Sequence, residues 1–419
     1  MAIASPTVHL PPPLPTIELP QPCFVVGGWV RDQLLGRVSP HPDIDLVLPH
    51  GSIETAQAIA RQQGGGFVVL DQERSIARVV LPDLTIDCAQ QMGDTLLEDL
   101  HKRDFTVNAI ALNIHTGEII DPLGGRQDME QRLMRMIAPA NLADDPLRVL
   151  RAYRQCAQLN FHIEAQTRYY LGHLSAGLSK IANERVRTEL GYLLNGGRTG
   201  TFWLLQAIED GVLAGWLPRH ILQIERFQRI DHAIEQLQIP ALQSFWQTYL
   251  TKERSVIITL KLAALVNSAH GTAPLGFSKN EQKWLWGLLR YLPQLCQFCD
   301  RQEHDPVLLY QFFQGVLPFF PALVALAMAE GYSLIQLEPY LHRWLDPHDP
   351  VVYPPALITG EEIKVIFALK PSPRIGELLT MVRTAQLQGK ITDRGGAIAL
   401  ITTHLKDRSL PFGTNPNNS

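Results

Sequence analysis

Over the first third of the chain, apolar residues come in short runs bounded by Gly, Pro or Asp, the pattern of β-strands. Cys23 to Val26, Ile44 to Leu48, Phe67 to Leu70, Ile76 to Leu81 and Leu84 to Cys88 are such runs. Val107 to Ile114 is apolar as well, and Thr116-Gly117 sits between it and Glu118-Ile119-Ile120 as a hairpin turn would. Beyond Asp121-Pro122-Leu123-Gly124-Gly125 the spacing changes to the three-and-four period of amphipathic helices. Leu142 to Leu159, Thr167 to Leu174, Glu184 to Leu194 and Phe202 to Leu213 follow it, and a last helical piece runs from Glu361 to about Leu405. Asp349-Pro350 and Pro354-Pro355 mark a late linker, and no repeat of fixed period is present. The pattern divides the chain into a mixed α/β head (21–137), a helical neck (138–200), a helical body (201–350) and a helical tail (351–407). Residues 1–20, with Pro11-Pro12-Pro13 and Pro15, and residues 408–419 are expected to be disordered.

Composition narrows the class without naming a chemistry. The chain has 419 residues, 46% hydrophobic and 19% charged, as in ordinary soluble globular proteins of several domains. Formal net charge is −4, so a nucleic-acid contact would need a local basic surface. Arg148, Arg151, Arg154, Arg168, Lys180, Arg185, Arg187 and Arg198 make one stretch basic. Five cysteines, an odd number without repeated spacing, argue against a disulfide framework and for a reducing compartment. Cys296-x-x-Cys299 has no second ligand pair nearby and reads as helix packing. The first twenty residues lack the basic start and apolar core of a signal peptide, and no apolar run reaches the ~18 residues of a membrane span. The expectation is a cytoplasmic protein with no membrane partner.

Candidate chemistry concentrates in Val25-Val26-Gly27-Gly28-Trp29-Val30-Arg31-Asp32, followed by Asp43-Ile44-Asp45-Leu46-Val47. A strand entering Gly27-Gly28 and turning at once into a helix lets backbone amides approach a phosphate, and Arg31 can pair with a triphosphate oxygen. Asp43 and Asp45, two apart on a strand, project to one face. Paired carboxylates on a rigid face suit Mg²⁺, which takes oxygen ligands together with substrate phosphates. Asp87, ending Leu84-Thr85-Ile86-Asp87, is a third candidate carboxylate from a neighbouring strand. Alone, an Asp-x-Asp at a strand end is a solvated edge. In this order and spacing it reads as a metal-assisted phosphoryl site.

The run from Gly27 to Asp45 resembles the first motif of class II tRNA nucleotidyltransferases, which include CCA-adding enzymes and bacterial poly(A) polymerases. Lys102-Arg103-Asp104-Phe105-Thr106-Val107-Asn108-Ala109 resembles the second, where two arginines usually precede the aspartate; here Lys102 keeps the charge but loses the planar fork. Asp121 to Gly125 and Pro371 to Leu379 carry the likeness onward, so that it spans about Cys23 to Leu405. The resemblance implies a DNA-polymerase-β-like head and Mg²⁺-dependent, template-independent nucleotidyl transfer to the 3′ end of tRNA. It also implies nucleotide contacts by Gly27, Gly28, Arg31 and Arg103.

The same resemblance makes Asp144-Asp145-Pro146-Leu147-Arg148-Val149-Leu150-Arg151-Ala152-Tyr153-Arg154 the nucleotide-selecting helix. Asp144 or Asp145 can cap it, with Pro146 in its first position. Asp145 can accept from the amino group of cytosine or adenine while Arg148 donates to their acceptors; uracil and guanine would leave both unpaired. Arg151 and Arg154 match positions near the phosphates. Asn183 to Leu190 resembles a further neck motif and is not placed in the site. Between Asp87 and Asp99 only the eleven residues Cys88 to Glu98 intervene, whereas enzymes adding all three nucleotides carry a longer, basic, flexible connection. The expected subtype is therefore CC-adding, drawing on CTP and followed by a separate A-adding enzyme; the alternatives are the same chemistry with CTP and ATP giving full CCA, a single A or a poly(A) tract, and a non-catalytic RNA-binding protein on the same fold. Ser39-Pro40-His41-Pro42 lengthens the turn before Asp43, and Asn267-Ser268 stands where phosphohydrolase relatives carry His-Asp, so no such hydrolase activity is expected.

Overall fold

A computed structural model describes residues 10, 14, 17–252 and 254–407. The chain forms two compact units, residues 1–220 with 272–276, and residues 221–271 with 277–419.

The first unit opens with β1 (Phe24–Val26), α1 (Gly28–Leu34), β2 (Asp43–Leu48), α2 (Ser52–Gln63), β3 (Gly66–Asp71), β4 (Ile76–Val80) and β5 (Thr85–Gln90). Then come α3 (Leu96–His101), β6 (Ala111–Asn113) and β7 (Ile119–Ile120). These strands make a seven-stranded mixed sheet in the order β3-β4-β5-β2-β1-β6-β7. β2 and β5 are parallel, and the remaining pairs are antiparallel. The parallel pair requires a crossover, which α2 supplies together with the β3–β4 hairpin, with α2 packed on β4 and β5. A cluster of Phe24, Val26, Val47, Leu100, Ala109 and Ala111 seals one face. The expected hairpin turn forms: Gly117 adopts φ +71°, Ala111 pairs with Ile120, and Gly117 donates its N–H to the Asn113 carbonyl.

The same unit continues through α4 (Gly125–Glu130), β8 (Leu133–Met134), α5 (Pro139–Asp144), α6 (Leu147–Leu159), β9 (His162–Ile163), α7 (Ala165–Leu174), α8 (Asn183–Asn195) and α9 (Gly197–Glu209). Asp121 accepts from the backbone N–H of Gly125 and Arg126, fixing the turn into α4. Leu142 to Leu159, expected as one helix, is two. Asp145 is extended and Pro146 cannot continue the helix from α5, so the chain re-enters as α6. A boundary at 200/201 would cut α9, which packs on α6 and α8 and belongs to this unit.

In the second unit are α10 (Ile224–Gln236), α11 (Gln243–Trp246), α12 (Val256–Leu265), α13 (Lys279–Arg301), α14 (Pro306–Val316), α15 (Phe320–Glu330) and α16 (Leu334–Leu345). α17 (Gly360–Ile366), α18 (Pro373–Leu387) and α19 (Arg394–Asp407) complete it. α12 and α15 are buried almost throughout. Lys261 on α12 is buried too, paired with Asp231 at 2.8 Å. Contrary to the expectation, Pro306–Glu330 is long and apolar enough to cross a membrane by length and composition, because α14 and α15 are both core helices. It is broken at Leu317–Phe319 and mostly buried. The three tail helices, expected as one piece, close around Ile358, Ile363, Ile375, Leu378, Val382, Ala397 and Ile401. Cys296 and Cys299 are free thiols on α13, and Asp349 accepts from the Val351 and Val352 N–H groups in a local turn.

Most of the leader expected to be disordered lies outside the described residues, as does 408–419. Leu14 and Ile17 depart from that expectation: both are buried, since an isolated apolar side chain gains by leaving water.

Candidate active site

A cavity of 360 Å³ opens in the first unit between β2, α1 and α6. Its walls include Gly27, Gly28, Arg31, Asp43, Asp45, Arg103, Asp104, Asn108, Arg151, Arg154 and Gln155. β2 presents Asp43 and Asp45 on one face while Ile44 and Leu46 are buried on the other, as the period of two requires. Register sets Asp45 of β2 directly beside Asp87 of β5. Burial, together with the like charges of Asp87 and Asp43, pushes the Asp45 carboxyl up to about 6 against the pull of Arg103 and Arg151.

Gly27 is the hinge of the site. Its φ is +80°, and a Cβ there would lie 3.1 Å from Arg103 Nη1 and 3.2 Å from Asp45 Oδ2. Arg103 is aimed by Asp99, whose Oδ2 accepts from its Nη2 at 3.1 Å. Lys102, the departure from the two-arginine pattern, is exposed and outside the cavity wall, so the missing guanidinium is not missing from the site.

The arginines of α6 are organised by acids on other elements. Arg151 Nη1 lies 3.6 Å from buried Asp104 and its Nε 3.6 Å from Glu189 on α8. Arg154 donates to Glu189 at 2.6 Å and lies over the Tyr192 ring. Burial opposes ionisation of Asp104. Arg151, Asn108, Arg148 and the Phe105 N–H outweigh it and hold the carboxyl below its ordinary range. The sequence around Glu189 reads as a helix laced by Glu–Arg pairs and does not place it in the site; its partners sit on α6 instead.

Three expected site residues are not on the cavity wall. Asp87 is held by a bidentate pair from Arg78, at 2.7 and 2.8 Å, and turns its charge toward β4. Asp145 accepts from the Leu147 N–H with one oxygen at 3.3 Å and pairs with Arg185 through the other at 3.3 Å; Pro146, expected in the first helical position, stands just before α6 instead. Arg148 donates to the carbonyls of Lys102 and Asn141 at 2.9 and 3.0 Å, tying α6 to the head. The short connection after β5 is a hydrogen-bonded turn: Met92 N–H donates to Asp99, Asp94 N–H to Glu98, and α3 begins at Leu96.

Sequence reading also overlooked Asn108 and Gln155. A polar residue among Ala152, Cys156 and Leu159 on the buried side of α6 is the signal that could have found Gln155.

The donor set fits a hard divalent cation: two carboxylates on a rigid strand, one of them raised by burial and, less, by its acidic neighbours, facing a cavity with room for phosphates. Among the described residues no group of three or more His, Cys, Asp and Glu gathers as a metal site.

Comparison with known proteins gives a consistent picture. The poly(A) polymerase head domain matches residues 23–135, and the probable RNA and SrmB-binding site of polymerase A matches residues 160–221. A CC-adding tRNA nucleotidyltransferase of Synechocystis sp. is 42% identical over 395 residues, covering 91% of this chain and 92% of that protein. An A-adding tRNA nucleotidyltransferase of Deinococcus radiodurans is 30% identical, covering 91% and 94%. Among solved structures, a CCA-adding enzyme in complex with ATP superposes with a TM-score of 0.71 at 23% identity, covering 92% of this chain and 91% of that one, a likeness of fold.

Proposed function

The chain belongs to the tRNA nucleotidyltransferase family, and from that premise we propose that it adds two cytidines from CTP to the 3′ end of tRNA. The observation that carries this reading is the Asp43–Asp45 pair facing a cavity ringed by Arg31, Arg103, Arg151 and Arg154. The 3′-hydroxyl oxygen of the RNA forms a bond to the α-phosphorus of CTP, the bond to the pyrophosphate oxygen breaks so that pyrophosphate leaves, and the hydroxyl proton passes to solvent water. Asp43 and Asp45 would hold Mg²⁺, which when bound supplies charge neutralisation and a more acidic attacking hydroxyl. Arg103, Arg151 and Arg154 balance the triphosphate charge from fixed positions. Gly27 lets the backbone come close because it carries no Cβ to meet Asp45 and Arg103.

Base selection by Asp145 and Arg148 needs both to exchange their present partners, Arg185 and the 102 and 141 carbonyls, for the edge of the nucleotide. The CC-adding subtype is supported by the short hydrogen-bonded turn after β5 and by the higher identity to the CC-adding relative. A separate A-adding enzyme would then complete the tRNA end, and the reaction belongs in the cytoplasm with the tRNA pool.

The test is extension of tRNAs ending before the CCA, after one C and after two, with each nucleotide alone and in pairs. Two cytidines added and ATP unused is the expected result. Incorporation of ATP onto a CC end sinks the CC-adding assignment, and a run of adenosines makes the protein a poly(A) polymerase. Asp43→Ala is expected to abolish all extension while tRNA binding persists. If Asp145→Ala retains full selectivity for cytidine, the base-reading role is wrong.

A further inference from the structure

The cavity holds a chain of amides whose orientation is forced from one end. Arg31 is 8% exposed, and its Nη1 donates to Asn108 Oδ1 at 2.7 Å. A guanidinium has no acceptor, so that Asn108 atom must be the oxygen. Its Nδ2 then faces two acceptors, Asp104 Oδ1 at 2.9 Å and Gln155 Oε1 at 3.0 Å. Asp104 is held ionised by Arg151 and its other donors, and so fixes Asn108 from the second side. With Oε1 of Gln155 committed to Asn108, the amide nitrogen of Gln155 must be the group left over. No hydrogen bond among the described residues takes up that Nε2, although Gln155 is only 6% exposed and lines the cavity. Nε2 is open to the cavity rather than sealed within the protein, so an acceptor on a bound ligand can take the place of water there.

On the reading above, we propose that Gln155 is a nucleotide-binding residue whose Nε2 donates to an oxygen of the nucleoside triphosphate in the cavity. Arg31, Asn108 and Asp104 act as positioning residues that keep the amide from flipping. As a donor only, Nε2 complements the acceptor-only phosphate oxygens and the oxygens of the ribose hydroxyls.

Two variants separate contact from support. Gln155→Glu keeps the oxygen that accepts from Asn108 and removes the donor. Gln155→Met removes both. Dissociation constants for CTP, 2′-deoxy-CTP and tripolyphosphate are measured in Mg²⁺, with Tm recorded for each protein. Both variants are expected to bind CTP about three- to tenfold more weakly or worse, with Gln155→Glu melting close to the unmodified protein. A penalty absent with 2′-deoxy-CTP assigns the acceptor to the ribose, and one shared with tripolyphosphate assigns it to the phosphates. The proposal is overturned if both variants bind CTP within twofold of the unmodified protein, or if only one is impaired. Weakening by Gln155→Met alone means that Gln155 merely supports Asn108; weakening by Gln155→Glu alone means that only charge matters there. Failure of the unmodified protein to bind or extend with CTP strikes instead at the nucleotidyltransfer reading.

Discussion

Asp45 carries the conflict between stability and chemistry at its sharpest. Its carboxyl is raised from 3.8 to about 6, so the folded state favours the protonated form. The penalty for ionisation is therefore absent well below pH 4, grows as pH rises through about 6, and is complete above it. It amounts to ~1–3 kcal/mol. In chelator, Asp45→Asn is expected to raise Tm by a few degrees at pH 8 and hardly at all at pH 4, read by thermal melts at both. A lower Tm for the variant at pH 8 would show that Asp45 gains more from Arg103 and Arg151 than it loses to burial and to Asp87 and Asp43. Arg78 limits the same conflict by pairing with Asp87, which leaves fewer uncompensated charges beside Asp45.

Among the elements, α6 depends on α8. Glu189 is buried and serves both Arg151 and Arg154, so each arginine reaches the cavity from a fixed base. Glu189→Leu leaves two guanidinium groups without this anion, at a cost of about 3 kcal/mol. The unit carrying it is expected to melt several degrees lower, and KM for CTP to rise by more than tenfold, measured by calorimetry and steady-state kinetics. Glu189→Gln, which keeps a hydrogen-bond acceptor for Arg154, is expected to fall between the two. An unchanged KM in Glu189→Leu would mean that the arginines are aimed by Asp104 and Tyr192 instead.

For the whole molecule, charge has to act locally. With a net charge of −4, RNA affinity must come from basic side chains that are not already committed to acids. Arg168 is committed to Asp210, and Arg185 to Asp145. Three or four phosphate contacts would make tRNA affinity fall about 10- to 100-fold between 50 and 200 mM salt. Binding isotherms across that range check it, and a flat response would point to recognition without phosphate contacts.

The strands of the head, the helical remainder and the Asp43–Asp45 pair were legible because each rests on local rules: periods of two and 3.6, turn residues, and side-chain alternation. Arg103, Arg151 and Arg154 were found by their motif likeness, and the cavity gathers them. The break at Asp145-Pro146 was half legible, since proline announces a helix start but not that another helix ends just before it. What sequence could not supply were partners far apart in the chain. Arg78 meeting Asp87 follows from strand register, Glu189 meeting two arginines from helix packing, and Asn108 meeting Gln155 from the closure of α6 onto the head. Local chemistry decides which groups are present and which way a strand or helix turns them. Only the tertiary structure decides which are already satisfied by one another and which remain to meet a ligand, because a hydrogen bond or ion pair depends on distance in space and not on distance along the chain.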